Sequence, residues 1–282
     1  MFPIYQITAL SYLAQDLLHT SSRGEVHSVY NKTVNLSCGG ELLSLQAKDT
    51  VSSPLTLETA CSPEELRALQ LRPGMSVSFL SDGLYVEDLY FDFFSAQRWE
   101  ARLSPSSSVS SCELSFLQAC LRGILPRGGF SDLTLPEGDV WRSSPYALEA
   151  AGVLSSVRLS LDNGDLSLAA RQLCSLIGLG EGLTPSGDDF LCGVLAGCSL
   201  GNAPSFGLLR RELGDLLPAF LEKTNDVSAG LLRCAVKGLF SRPILALARG
   251  TSLSAAQADF AAIGHSSGAD TLNGMIFLLS AL

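Results

Sequence analysis

The sequence predicts an α+β protein. A β-rich, sandwich- or barrel-like domain over residues 1–103 precedes a mainly α-helical domain over residues 104–282. Three observations lead there. Between Gly24 and about Phe94 apolar and polar residues alternate in short runs separated by turn signals, the period of half-buried strands. The run SPSSSVSS, Ser104 to Ser111, is poor in core-forming residues and reads as a linker. Beyond it apolar residues recur at helical spacing between Gly, Pro and Ser breaks.

The opening MFPIYQITALSYLAQDLL is apolar but lacks a basic start and is interrupted by Gln6, Gln15 and Asp16, so a short amphipathic segment is expected rather than a signal peptide. Strands are then expected in EVHSVYNKTVNLSC, GGELLSLQ and MSVSFLSDGLYVEDLYFDFF, with VSSPLTLET as a loop. Gly39-Gly40 and Asp82-Gly83 are read as hairpin turns, each supplying positive φ. SPEELRALQLRPGM is a short helix: Ser62 is the N-cap, Pro63 the first helical residue and Glu65 the reciprocal partner of the cap, and Pro73-Gly74 ends it. The helices of the second part lie in CELSFLQACLRGIL, LSLAARQLCSLIGL, DFLCGVLAGCSL, FGLLRRELGDLLPAFLEK, SAGLLRCAVKGLF, SRPILALARG, SLSAAQADFAAIG and DTLNGMIFLLSAL.

Composition narrows the function. With 46% hydrophobic and 17% charged residues the chain can bury a sizeable core. A formal net charge of −9 argues against nucleic-acid partners and acidic membrane surfaces, which need basic patches. Eight scattered cysteines with no C-x-x-C pair fit reduced, buried thiols rather than a disulfide framework or a zinc site. No run reaches the roughly 18 apolar residues of a spanning helix, so a soluble cytoplasmic protein is expected.

The chemistry is concentrated in GLGEGLTPSGDDFLCG, Gly178 to Gly193, and its echo GHSSGADTLNGM. Ser186 to Gly193 and Ser267 to Gly274 share the pattern S-G-x-D-x-L-x-G, each where a glycine-bearing loop becomes an apolar helix. Thr184 is read as N-cap and Pro185 as the first helical residue, which leaves amides near Ser186 and Gly187 facing out as an anion cradle, with a second cradle at Ser267 and Gly268. Asp189 with Gly193, and Asp270 with Gly274, fall on one face of each helix, so close packing is expected to bring the two aspartates to one pocket. Asp189, Asp270 and His265 are the candidate catalytic residues. Gly180, Gly182, Thr184, Ser186, Gly187, Asp188, Asn225, Ser228, Ser267, Gly268 and His27 are candidate substrate-binding residues. Lys223 is a further candidate to balance a bound anion, and the Asp188-Asp189 pair suits Mg²⁺. The loop lacks the preceding strand of a dinucleotide fingerprint, the Gly-Lys-Ser/Thr of a Walker loop and the context of a nucleophile elbow.

GLGEGLTPSGDDFLCG, TNDVSAGLLRCAVKG, GHSSGADTLNG and GEVHSVYNKTVNL together resemble the AllH-like family, long a bacterial domain of unknown function. The resemblance spans most of the chain, with little recognisable pattern between about Ala101 and Ser160. It implies a cytoplasmic subunit of an oxamate carbamoyltransferase in anaerobic allantoin, hence purine, catabolism. Such a protein works with two other subunits on oxalurate, phosphate, oxamate and carbamoyl phosphate. The alternative is a non-catalytic partner subunit that binds a small anion in a related acyl-phosphate or ligase-like complex. A third reading, a stand-alone metal-dependent hydrolase, requires an activity that chelators abolish.

Overall fold

A computed structural model describes residues 3–103, 113–124, 129–130, 133, 145–201 and 203–281. It is α+β and separates into two compact units, Met1–Ala101 and Arg102–Leu282. The linker expected at Ser104–Ser111 lies outside the described residues.

The first unit contains strands β1 (Ile4–Ser11), β2 (Arg23–Val29), β3 (Thr33–Cys38), β4 (Glu41–Gln46), β5 (Thr56–Thr59), β6 (Ser76–Phe79), β7 (Gly83–Val86), β8 (Leu89–Asp92) and β9 (Gln97–Trp99). Two helices, α1 (Tyr12–Thr20) and α2 (Pro63–Ala68), interrupt them. The strand order β5-β4-β3-β2-β6-β7-β8-β1 is closed by antiparallel pairing of β1 with β5, giving an eight-stranded barrel. β9 adds in parallel to the end of β1. Closure removes the unpaired edges that an open sheet would expose. Leu10, Leu36, Leu43, Leu57, Leu84 and Phe91 fill its interior.

Three local expectations change. The apolar N terminus is not a single amphipathic segment: Ile4–Ser11 is the strand that closes the barrel, and Ser11 then caps α1 by accepting from the Ala14 amide. Within the stretch expected as a loop, Thr56–Thr59 forms β5, held between β4 and β1. Gly39 and Gly40 do supply positive φ, 59° and 87°. Gly83 does not, and is a glycine because a Cβ would lie 2.3 Å from the Tyr90 ring. The expected cap of α2 is present, with Ser62 Oγ accepting from the Glu65 amide at 3.2 Å and Glu65 accepting from the Ser62 amide at 2.7 Å.

The second unit contains α3 (Leu114–Ile124), α4 (Pro145–Asp162), α5 (Leu166–Cys174), α6 (Ser186–Leu200), α7 (Pro204–Leu216), α8 (Asp226–Val236), α9 (Arg242–Arg249), α10 (Leu253–Ala261) and α11 (Ser267–Ala281). α6 and α11 are apolar nearly all round and almost wholly buried, the pattern of core helices. They pack on each other, with α7 and α8 against α6 and with α3 and α10 against α11. Helix α4, in the stretch without a recognisable pattern, is long but weakly amphipathic, and it packs on α5. Cys38, Cys61, Cys120, Cys174, Cys192, Cys198 and Cys234 are free thiols, and all but Cys192 are buried.

Candidate functional site

The two motif copies meet through their glycines. A Cβ on Gly193 would lie 2.0 Å from the Thr271 carbonyl oxygen, and one on Gly274 would lie 1.9 Å from that of Phe190. Thr271 and Phe190 are equivalent positions of the two copies, so each helix places its glycine against the same carbonyl of the other. Backbone contact this close is open only to residues without a side chain. It sets the N-terminal turns of α6 and α11 side by side.

The other glycine of each copy also packs closely. A Cβ on Gly187 would lie 1.9 Å from the Leu176 oxygen, and one on Gly268 would lie 1.9 Å from the Phe260 oxygen. Two of the amides expected to face a bound anion are engaged internally: Gly187 N–H donates to Leu179 O at 2.8 Å, and Gly268 N–H to Ile263 O at 3.1 Å. Asp188 and Asp189 amides both donate to Pro185 O. The helix begins at Ser186, with Pro185 in the cap position, so Thr184 is not the cap. Its hydroxyl instead pairs with that of Ser267 at 2.9 Å, joining the two copies. Gly178, Gly180 and Gly182 all have positive φ, which lets the loop double back ahead of α6. A Cβ on Gly180 would lie 2.6 Å from the Ser186 amide nitrogen, whereas the space beside Gly182 is open.

Asp188 holds this loop rather than facing a free volume. Its Oδ1 accepts from the Gly178 amide at 2.7 Å, and its Oδ2 accepts from Ser228 Oγ at 2.6 Å and from Thr224 Oγ1. Asn225 caps α8 by accepting from the Ser228 amide at 3.1 Å, and donates through Nδ2 to Leu183 O at 2.8 Å. The candidates Asp188, Asn225 and Ser228 therefore form one network that ties the glycine loop to the start of α8. A carboxylate taken from water is stabilised by several donors, and here three are supplied.

Asp189 and Asp270 differ. Both are buried, and the Oδ2 of each has no hydrogen-bond partner among the described residues. Burial pushes the Asp189 carboxyl well above the usual range; the Asp270 and Asp188 charges add to the rise, while the Ser267 and Thr184 hydroxyls oppose it. Burial raises Asp270 to about 6, against the Phe130 amide and the hydroxyls of Ser186 and Ser266. The arrangement is crossed: Asp189 of α6 meets Ser267 of α11, and Asp270 of α11 meets Ser186 of α6.

Two participants carry no signal in the motifs. Phe130 N–H donates to Asp270 Oδ1 at 2.6 Å, and Asn273 Nδ2 donates to Phe130 O at 2.9 Å. The Phe130 ring lies edge-on to Phe190, centroids 5.8 Å apart. Gly129, at φ +60°, passes so near that a Cβ would lie 2.4 Å from Asp270 Oδ2. The Gly-Gly pair in RGGF is the only sequence hint of this approach.

The remaining candidates are not drawn into the carboxyl cluster by any recorded contact. His265 is exposed in the turn before α11. His27 is exposed on β2 in the barrel unit, with Nδ1 3.1 Å from Ser28 Oγ. The Lys223 amine lies over the Phe220 ring, 4.9 Å from its centroid. Among the described residues no three His, Cys, Asp or Glu side chains come together as a metal cage.

A surface of buried carboxylate oxygens and hydroxyls, with the Gly187 and Gly268 amides already engaged, suits N–H donors or a hard cation better than a bare anion. Against this geometry, a family model described as the oxamate carbamoyltransferase subunit AllH matches residues 176–279, the segment that holds both motif copies. A second, described as the AllH family N-terminal domain, matches residues 6–101, the barrel. No curated protein and no solved structure matches the chain. No helix among the described residues is long and apolar enough to cross a membrane.

Proposed function

We propose, from the premise that the chain belongs to the AllH family, that it binds the amide-bearing substrate of an oxamate carbamoyltransferase at the crossed pair Asp189 and Asp270. The reaction is phosphorolysis of oxalurate and its reverse. A phosphate oxygen attacks the carbamoyl carbon, the carbamoyl–nitrogen bond breaks, and oxamate leaves with a proton on its nitrogen, giving carbamoyl phosphate. The observation that carries this reading is the pair of buried Oδ2 atoms without partners, set together by the two reciprocal glycines. Carbamoyl and oxamate groups present N–H donors that carboxylate oxygens accept. Thr184, Ser186 and Ser267 line the same cluster with hydroxyls that can orient the substrate. His265, in the exposed turn before α11, is the group proposed to hand a proton to the departing nitrogen.

The setting is a cytoplasmic complex with two other subunits in anaerobic allantoin catabolism. One observation favours the non-catalytic side of the second reading, a partner subunit without chemistry of its own: Gly187, Gly268 and Asp188 are occupied in packing and internal hydrogen bonds, as structural residues are. One experiment decides between them. In the complex assembled with its partner subunits, Asp189→Asn and Asp270→Asn are expected to lower phosphate-dependent conversion of oxalurate by about a hundredfold, the scale of losing one positioned polar group at a reacting centre. Unchanged turnover with assembly intact supports the non-catalytic reading.

A further inference from the structure

The substrates of this reaction carry phosphate or carboxylate, and two buried carboxylates repel both. Among the described residues no cation is set against the pair to relieve that repulsion. The charged groups acting on Asp189 are Asp270 and Asp188, both acidic, and the polar groups facing the pair are hydroxyls and the Phe130 amide, which reaches only Asp270 Oδ1 and leaves both Oδ2 atoms without a donor among the described residues. Two of the amides expected to cradle an anion, those of Gly187 and Gly268, are spent on Leu179 O and Ile263 O. A buried carboxylate oxygen without a donor forfeits its hydration with no return, so a partner of opposite charge is called for.

The donor set identifies that partner. It is all oxygen: two carboxylates, Asp189 and Asp270, with the Thr184, Ser186 and Ser267 hydroxyls beside them. That composition selects hard cations over zinc or copper. It is not a closed cage: among the described residues no third His, Cys, Asp or Glu joins the two carboxylates. Mg²⁺ is characteristically held in this way, by one or two carboxylates, with phosphate oxygens of the substrate and water completing its shell.

We propose that Asp189 and Asp270 share a hard divalent cation of the Mg²⁺ class, whose coordination is completed by the phosphate or carboxylate oxygens of the substrate. The inference rests on the substrate-site reading above and adds what lets that site accept an anion. Asp188 takes no part as a ligand, since both its oxygens are already saturated by Gly178, Thr224 and Ser228. Cation and anion are thermodynamically linked: each tightens the other by the same factor.

The test uses the full chain with Mn²⁺ as a paramagnetic probe, read by electron paramagnetic resonance with and without inorganic phosphate. One equivalent of Mn²⁺ is expected, displaced by Mg²⁺, with affinity about tenfold or more higher in phosphate. Both Asp189→Asn and Asp270→Asn should abolish the site in protein whose circular dichroism is unchanged. Absence of Mn²⁺ binding to the folded wild-type chain overturns the proposal, as does binding that survives both substitutions. The two readings fail separately. Oxamate that raises the melting temperature equally with and without Mn²⁺ overturns the cation and leaves the amide-binding site standing. Mn²⁺ held by the pair, with turnover of the assembled complex indifferent to Asp189→Asn, sustains the cation and overturns the catalytic reading.

Discussion

Replacing Gly274 by alanine tests the contact on which the site depends. The new Cβ would stand 1.9 Å from the Phe190 carbonyl oxygen and 2.9 Å from the Val194 nitrogen, both backbone atoms that cannot rotate away. Restoring an ordinary contact requires α6 and α11 to part by about 1.5 Å at this level, which opens gaps along a face that is otherwise closely packed. Overpacking of this kind costs about 1–3 kcal/mol and sometimes more. Alanine returns about 1 kcal/mol through its better helix propensity. The expected net is a loss of about 2 kcal/mol, read as a lower urea midpoint at unchanged slope. Gly193→Ala, aimed 2.0 Å from the Thr271 oxygen, should behave alike. The double substitution should cost less than the two single losses together, because one separation of the helices accommodates both. Gly152→Ala supplies the contrast: that helical glycine is exposed with nothing within 4 Å of its Cβ position, so alanine should stabilise there by up to about 1 kcal/mol. Were Gly274→Ala to stabilise as Gly152→Ala does, the helices would not meet at their backbones, and the argument that brings Asp189 to Asp270 would fall with that contact.

Two further outcomes follow from the carboxylates. The folded protein holds the Asp270 proton to about pH 6, above the ordinary 3.8. The native state therefore binds more protons than the unfolded chain between those values. Without divalent cations, stability should fall as pH rises through that window, with Asp270 contributing up to about 3 kcal/mol of the fall, and Asp270→Asn should reduce the dependence by that share while Asp189 keeps its own; urea unfolding at pH 4.5 and 7.5 measures both. Asp188→Ala strands the Gly178 amide and the hydroxyls of Ser228 and Thr224. It should cost about 2–4 kcal/mol, the scale of breaking a buried hydrogen-bond network, and limited proteolysis should then cut between Gly178 and Gly182; a loop as resistant as wild type would show that Asp188 does not hold it.

The sequence by itself determined what depends on neighbours along the chain. The capping box at Ser62 and Glu65, the turn at Gly39-Gly40 and the apolar periods of most helices were all legible, because each is decided within a few residues. The repeated S-G-x-D-x-L-x-G likewise marked two equivalent helix starts, and the glycine four residues after each aspartate pointed to close packing. Tertiary structure decided the rest. β5 is a strand because β4 and β1 flank it, although TLET alone carries a weak signal. Thr184 looks like a cap, yet its hydroxyl finds Ser267, 83 residues away. Of two adjacent aspartates, Asp188 is saturated by a loop and a distant helix start while Asp189 keeps an oxygen without a partner, a distinction absent from the letters DD. Phe130 reaches Asp270 from 140 residues away. Local order follows from short-range sterics and hydrogen bonding. The fate of a buried polar group follows from which donors the finished fold brings to it, and that is settled only when distant segments pack.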